Sequence, residues 1–386
     1  MEDFRMVATT YSGLEQVLAE ELKSLGAKET RMHNRAVSFV GDKGFMYKAN
    51  FCARTAVRIL KSLHTFIVRD ADSLYQEVKK MNWESLIGPN QTFAIDCILN
   101  SDMFLNSQYP SLKAKDAIAD YFTEKTGTRP DVNKENPDVM IQLHIYSQQC
   151  TISLDSSGDS LHKRGYREAA DIAPMSEVLA AGLVLLSGWD RNSTLVDFMC
   201  GSGTILIEAA MLAANIPPGY FRKTFGFQTW NDYDPQLFET IREAAVNRIS
   251  EQDIFLYGCD ISPRAIEKAI ENAVSAQVDD MLKLKQRDFK DMKPPAGRGM
   301  VIINPPYDEK MAVKNINQFY KNIGDVLKQK YNGYSAWIIT ANKEAAKHIG
   351  LHVSKKFTVY NGPLECKFMR FELYEGSKKA KYAMMK

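Results

Sequence analysis

From Thr194 to Leu373, short apolar runs alternate with segments whose apolar residues recur at helical spacing. That alternation confines this stretch to an α/β sheet covered on both faces, because parallel strands cannot be joined by hairpins and need a helical crossover. The runs predict strands at Thr194–Met199, Ile254–Cys259, Leu282–Gln286, Met300–Ile303 and Ser335–Thr340, with two more near Val353–Val359 and Cys366–Leu373. Helices are predicted at Ile205–Ala214, Pro263–Ala276 and Asn315–Lys328.

Upstream the pattern is mixed. Residues 4–62 predict a small α+β unit: a strand at Phe4–Thr10, a helix from Leu14 to Leu25 stopped by Gly26, and a strand at Val37–Val40. From Asp72 the order is helix (Ser73–Met81), strand (Thr92–Leu99), helix (Ser111–Thr126) and strands at Val139–Ile145 and Cys150–Asp155. Ser156-Ser157-Gly158-Asp159-Ser160 marks a boundary, and an amphipathic linker helix is expected over about 174–188, with Pro174 at its start and Gly188 at its stop.

The chain of 386 residues is too long for one typical domain. No apolar run reaches the ~18 residues that would cross a membrane, so a membrane partner is not expected. The acidic start, Met1-Glu2-Asp3, is not a secretory signal, and six cysteines without a C-x-x-C pair fit reduced thiols rather than disulfides or a zinc ribbon. These features predict a cytoplasmic protein without a metal. Residues 1–160 carry 18 Lys and Arg against 21 Asp and Glu, whereas the net charge of the whole is +2, so a polyanion would have to meet local basic groups. Lys113, Lys115, Lys163, Arg164 and Arg167 are the candidates.

The chemistry concentrates at the strand ends. The first strand of the α/β region runs into Asp197-Phe198-Met199-Cys200-Gly201-Ser202-Gly203-Thr204 and then a helix. A glycine-rich strand-to-helix turn lets a ligand approach the backbone. Leu206 stands where a dinucleotide fingerprint has its third glycine, and no G-K-[ST] follows, so neither a dinucleotide nor a P-loop site is indicated. The second strand ends at Cys259-Asp260-Ile261, where a carboxylate can hold ribose hydroxyls. The third leads to Asp288-Phe289, where the carboxylate can accept from an adenine amine and the ring can stack on it. Taken singly, Asp260 and Asp288 are equally at home as helix caps. The fourth strand ends in Asn304-Pro305-Pro306-Tyr307. Two prolines remove two donors and keep the Asn304 and Pro305 carbonyls out of a helix, leaving them to accept from an exocyclic NH₂ while Tyr307 stacks on the ring. By itself the motif is also a rigid turn, and it suits guanine N2 or adenine N6 equally.

Together these motifs resemble class I S-adenosylmethionine-dependent methyltransferases of the amino-methylating branch. That likeness implies a Rossmann-like seven-stranded sheet with an antiparallel last strand. It implies cofactor contacts at Asp197, Cys200, Gly201, Gly203, Thr204, Asp260, Ile261, Asp288, Phe289 and Asn304, and catalytic roles for Asn304, Pro305 and Tyr307. S-adenosylhomocysteine would be the product.

The likeness narrows further to THUMP-domain RNA guanine-N2 methyltransferases similar to the N-terminal part of the rRNA methylase RlmL. Thr9-Thr10-Tyr11-Ser12-Gly13-Leu14-Glu15, Asp159 to Arg167, Ala173 to Glu177, Cys200 to Ala210 and Pro217 to Asp232 carry it. One departure is Asp308-Glu309-Lys310, where that family usually reads Gly-Glu-Arg. The resemblance implies a ferredoxin-like subdomain (1–65), a THUMP RNA-binding domain (66–158) and a methyltransferase domain (159–386). It implies N2 methylation of a guanosine in RNA, with 23S rRNA as the target. The alternatives are adenine N6 in RNA or DNA, tRNA guanine N2, and an inactive RNA-binding assembly factor. Phe225, Phe227 and Trp230 either line the target cavity or belong to a core.

Overall fold

The computed structural model describes residues 2–167, 175–307 and 315–374. They make two compact units, one drawn from residues 2–10, 18–161 and 222–245, the other from 11–17, 162–221 and 246–374. No described helix is long and apolar enough to cross a membrane.

The first unit contains β1 (Phe4–Thr9), α1 (Glu15–Leu25, whose first turn is counted with the second unit), β2 (Lys28–His33), β3 (Ala36–Gly41) and α2 (Lys43–Cys52). It continues with β4 (Arg58–Ile67), α3 (Ala71–Lys79), β5 (Phe93–Asn100), α4 (Gln108–Thr126), β6 (Val139–Tyr146) and β7 (Gln149–Asp155). Its seven strands form one sheet in the order β2-β3-β1-β4-β7-β6-β5. The ten residues of β4 join its two halves. The start of β4 pairs with β1, while Leu60–Ile67 pairs with β7. β2 escapes the sequence patterning because Lys-Glu-Thr-Arg-Met-His has no apolar face. It is an exposed, charged edge strand held by β3 alone.

After residue 175 the elements are α5 (Glu177–Ser187), β8 (Thr194–Asp197), α6 (Thr204–Ala213), α7 (Pro235–Val246), β9 (Leu256–Asp260) and α8 (Pro263–Ser275). Then come β10 (Leu282–Gln286), β11 (Gly299–Ile303), α9 (Ile316–Lys330), β12 (Ser335–Thr340), β13 (Val353–Asn361) and β14 (Leu364–Glu372). The second unit's sheet has the order β10-β9-β8-β11-β12-β14-β13. β8 through β12 run parallel, and β14 lies antiparallel to both of its neighbours, as expected. The order reverses beside β8, the position where open sheets of this kind take ligands.

One expectation is corrected, and one open alternative is decided for the core. α5 is not amphipathic. Val178 to Val184 are all buried, because Glu-Val-Leu-Ala-Ala-Gly-Leu-Val-Leu-Leu-Ser offers almost no polar face. Its expected Pro174 start lies outside the described residues. Phe225, Phe227 and Trp230 line no target cavity. All three rings are buried in the first unit, where Phe227 stacks on Tyr47 at 4.3 Å and on Phe225 at 5.3 Å, with Phe238 of α7 edge-on at 5.1 Å.

The second unit also includes Tyr11–Val17. There Leu14 is fully buried against Gly182 of α5, and the Tyr11 hydroxyl donates to Ser176 Oγ at 3.2 Å. A truncation after residue 158 would therefore remove part of the second unit as well as the first.

Candidate active site

The sheet order places Asp197, Asp260, Asp288 and Asn304 at or just past the carboxyl ends of four adjacent strands, β8, β9, β10 and β11. Between β8 and α6 the chain turns through Cys200–Gly203. Gly203 precedes the first helical residue with φ +82°, where a side chain would be strained and its Cβ would crowd Ala269 at 3.2 Å. The loop is clasped to β9. The Gly201 N–H donates to Asp260 Oδ2 at 3.0 Å, and the Cys200 N–H donates to the Cys259 carbonyl at 3.0 Å. Asp260 Oδ1 accepts from the Ser262 N–H at 2.9 Å, so one carboxylate orders the loop and the entry to α8. A Cβ at Gly201 would meet open space, and Ile261 is 70% exposed beside it in sequence from Asp260. The half-buried Gly201 turn, a carboxylate on the next strand and an uncovered apolar side chain make a candidate cradle for a nucleoside bearing a small polar head.

Asp288 caps the short turn after β10, accepting from the Lys290 N–H at 2.9 Å. Phe289 departs from expectation. Its ring is buried on Phe198 (5.7 Å, near-parallel) and Phe319 (5.5 Å, edge-on), so core packing uses the faces that were expected to stack on a base. Cys200 is buried too, and burial holds its thiol well above the usual range, which keeps it a neutral, inert side chain.

Asp197 is 1% exposed and accepts from the Met199 N–H at 3.1 Å. Burial, with a smaller contribution from Asp260, pushes its carboxyl up to about 8. A carboxyl raised in the folded state stabilises the fold fully below its unfolded value, and that stability is lost as pH rises from about 4 to about 8. Asp197→Asn is therefore expected to melt higher than the ligand-free parent at pH 8, with the gap closing toward pH 5 at up to ~1.4 kcal/mol per unit. Scanning fluorimetry across that range would show a pH-independent gap if burial does not raise the carboxyl.

Behind the loop lies a second layer that local basic character misassigned. Arg164 and Glu208 of α6 have side chains 1% and 0% exposed and meet at 3.3 Å, and the Tyr166 hydroxyl donates to the same carboxylate at 3.1 Å. Arg164 is thus an internal anchor and cannot reach an RNA surface. Arg167 donates to Thr204 Oγ1 at 2.7 Å and to the Met175 carbonyl at 3.3 Å, and pairs with buried Glu177 at 3.3 Å. Its guanidinium holds the first residue of α6 rather than facing solvent. Of the other basic candidates, Lys163 is exposed, whereas Lys113 and Lys115 of α4 lie beside Asp72 (3.7 Å) and Asp116 (2.6 Å).

Asn304-Pro305-Pro306-Tyr307 follows β11 directly and is pinned from two sides. The Tyr320 hydroxyl of α9 donates to the Pro306 carbonyl at 3.1 Å and meets Thr340 Oγ1 at 2.6 Å. Asn342 Nδ2, just past β12, donates to the Tyr307 carbonyl at 2.8 Å while its Oδ1 caps the short helix Lys343–Ala346. Among the described residues no donor reaches the Asn304 or Pro305 main-chain carbonyl. The Tyr307 hydroxyl donates to Asn304 Oδ1 at 2.6 Å. Sequence reading missed Tyr320 and Asn342 because a pinning residue carries no motif of its own. Asp308-Glu309-Lys310 lies outside the described residues.

The family described as RMKL-like, methyltransferase domain, matches residues 164–370. A THUMP domain matches 68–155, and an RlmL ferredoxin-like domain matches 5–60. A Synechocystis protein named "Putative RNA methyltransferase slr0064" is 38% identical, with 95% of this chain aligned to 96% of that one. The ribosomal RNA large subunit methyltransferase K/L of Syntrophotalea carbinolica is 37% identical over 96% of this chain, which spans only 54% of that protein's length. Among solved structures, SMU.472, crystallised with SAH, is 29% identical at TM-score 0.84 over 98% of this chain and all of that one. A Listeria monocytogenes protein titled "predicted N6-adenine-specific DNA methylase" is 30% identical at TM-score 0.87 over 97% of each chain. The reversed sheet order, the clasped glycine loop and these matches converge: the chain belongs to the RMKL-like methyltransferase family, with a THUMP domain and an RlmL ferredoxin-like domain ahead of the methyltransferase domain.

Proposed function

We propose that this protein methylates the exocyclic N2 amine of a guanosine in RNA, with large-subunit (23S) rRNA as the target class. S-adenosylmethionine is the donor, and it supplies an electrophilic methyl group on a sulfonium. The observation that carries the proposal is the Asn304–Pro305 acceptor pair at the end of β11, beside β8 and its glycine loop. The division we propose is a ferredoxin-like region over 1–65, a THUMP region over 66–158 and a methyltransferase region over 159–386.

In this reading Gly201, Gly203, Cys200 and Thr204 cradle the polar end of the donor, whose positive charge ionises the raised Asp197 carboxyl and is met by it. Asp260 takes the ribose hydroxyls, Ile261 covers the adenine face and Asp288 accepts from its amine. A target NH₂ is a poor nucleophile because its lone pair is delocalised into the ring. Asn304 Oδ1 and the Pro305 carbonyl accept its two N–H bonds, free the lone pair and stabilise the positive charge that develops on nitrogen. Held geometry adds an orientation contribution, and after transfer the nitrogen releases a proton to water. A paired amine is out of reach, so the target base must be unpaired or extruded.

The THUMP match and the K/L relatives support RNA, and rRNA within it. The Listeria neighbour's title favours adenine N6 as the second reading. Total RNA and DNA methylated in vitro, then digested for nucleoside mass spectrometry, are expected to yield N2-methylguanosine from RNA alone. N6-methyladenosine would replace this reading, and absence of S-adenosylmethionine binding by titration calorimetry would leave an RNA-binding assembly factor.

A further inference from the structure

We infer that the Tyr307 hydroxyl serves this site as the group that orients Asn304, a role distinct from any contact its ring makes with the target base. The inference rests on the acceptor role proposed for Asn304. Two observations separate the hydroxyl from the ring.

The first is the direction of the hydrogen bonds. Tyr307 O–H reaches Asn304 Oδ1 at 2.6 Å, at the short end for a bond between two oxygens. The same phenolic oxygen accepts from Asn361 Nδ2, at the end of β13, at 3.4 Å. The Cys366 thiol of β14 points at it from 3.8 Å, with the Leu364 carbonyl at 3.6 Å as that thiol's other partner. Asn361 thus aims a donor at the phenolic oxygen, whose single proton lies on Asn304. An asparagine amide has a broad, two-fold terminal torsion, so its own rotamer preference does not decide whether oxygen or nitrogen faces the target. A relay from Asn361 through Tyr307 does decide it. Oδ1 is held in place with a lone pair left for an incoming N–H.

The second observation is how the residue is fixed at both ends. Its carbonyl is held by Asn342, the preceding carbonyl by Tyr320, and its hydroxyl by the β13–β14 hairpin. Burial raises the phenol far above its ordinary range, so it remains a neutral donor.

Tyr307→Phe keeps the ring and removes the relay, so the two roles give opposite results. Expected is a fall in kcat of ~10–10²-fold, with KM for RNA, the cofactor Kd and the melting temperature close to the parent. Asn361→Ala is expected to lower kcat by a smaller factor in the parent and by nothing further in Tyr307→Phe, the non-additivity of two groups in one relay. A Tyr307→Phe enzyme with parental kcat, or full additivity with Asn361→Ala, overturns the inference. A parent chain that transfers no methyl group to RNA or DNA instead refutes the acceptor reading, and this inference with it.

Discussion

Asn304→Ala is expected to lower methyl transfer by ~10²–10³-fold while S-adenosylmethionine still binds nearly as well as to the parent, as titration calorimetry beside single-turnover rates would show. The size follows from where the side chain acts. In the proposed mechanism Asn304 Oδ1 is one of two acceptors for an amine whose charge changes only during reaction, so its loss falls on kcat rather than on ground-state affinity. The donor cradle is built elsewhere, by the loop between β8 and α6 and by Asp260 at the end of β9. The Pro305 carbonyl survives the substitution because it belongs to the main chain, which sets a floor under the loss. Unchanged turnover in Asn304→Ala would refute the acceptor role. A parallel loss of cofactor affinity would mean that Asn304 chiefly builds the cradle.

The second large effect concerns stability. Arg164→Met is expected to destabilise the second unit by ~3–5 kcal/mol and lower its melting temperature by roughly 5–10 °C, read by calorimetry on the full chain. Arg164 and Glu208 lie together with almost no exposure, and removing the guanidinium leaves a carboxylate in the interior with Tyr166 as its remaining partner on that side. The cost is that of an uncompensated buried charge, not the value of the pair. The double variant Arg164→Met with Glu208→Leu should therefore recover most of the loss, since apolar groups of similar volume can replace a buried ion pair. A single variant that melts like the parent but binds RNA more weakly would restore Arg164 to the surface role that its sequence neighbours suggested.

That pair shows what a sequence withholds. Lys163-Arg164-Gly165-Tyr166-Arg167 is a dense basic run, yet alternate members turn inward, and each arginine finds a carboxylate outside the run, Glu208 or Glu177. Charge is visible in the letters, but burial depends on partners beyond the local segment. Phe225, Phe227 and Trp230 are the same case. Their letters fit a target cavity or a core, and only their packing around Tyr47 of α2 decides for the core. Edge strand β2 stayed hidden because a strand paired on one side and wet on both faces has no need of apolar alternation.

What the sequence determined on its own was the doubly wound sheet and the turns that end its strands. Strand-to-helix alternation, glycine placement and Asn-Pro-Pro-Tyr act through local backbone geometry, and local geometry is written residue by residue. Tertiary structure alone decided orientation and exposure. It clasped Gly201 to Asp260, drew Arg167 onto Thr204, buried Phe289 and Arg164, and ran the Asn361–Tyr307–Asn304 relay across one end of the β13–β14 hairpin. Gly201 with Asp260, and Asn361 with Tyr307, are pairs more than fifty residues apart that only the folded sheet brings within hydrogen-bond distance.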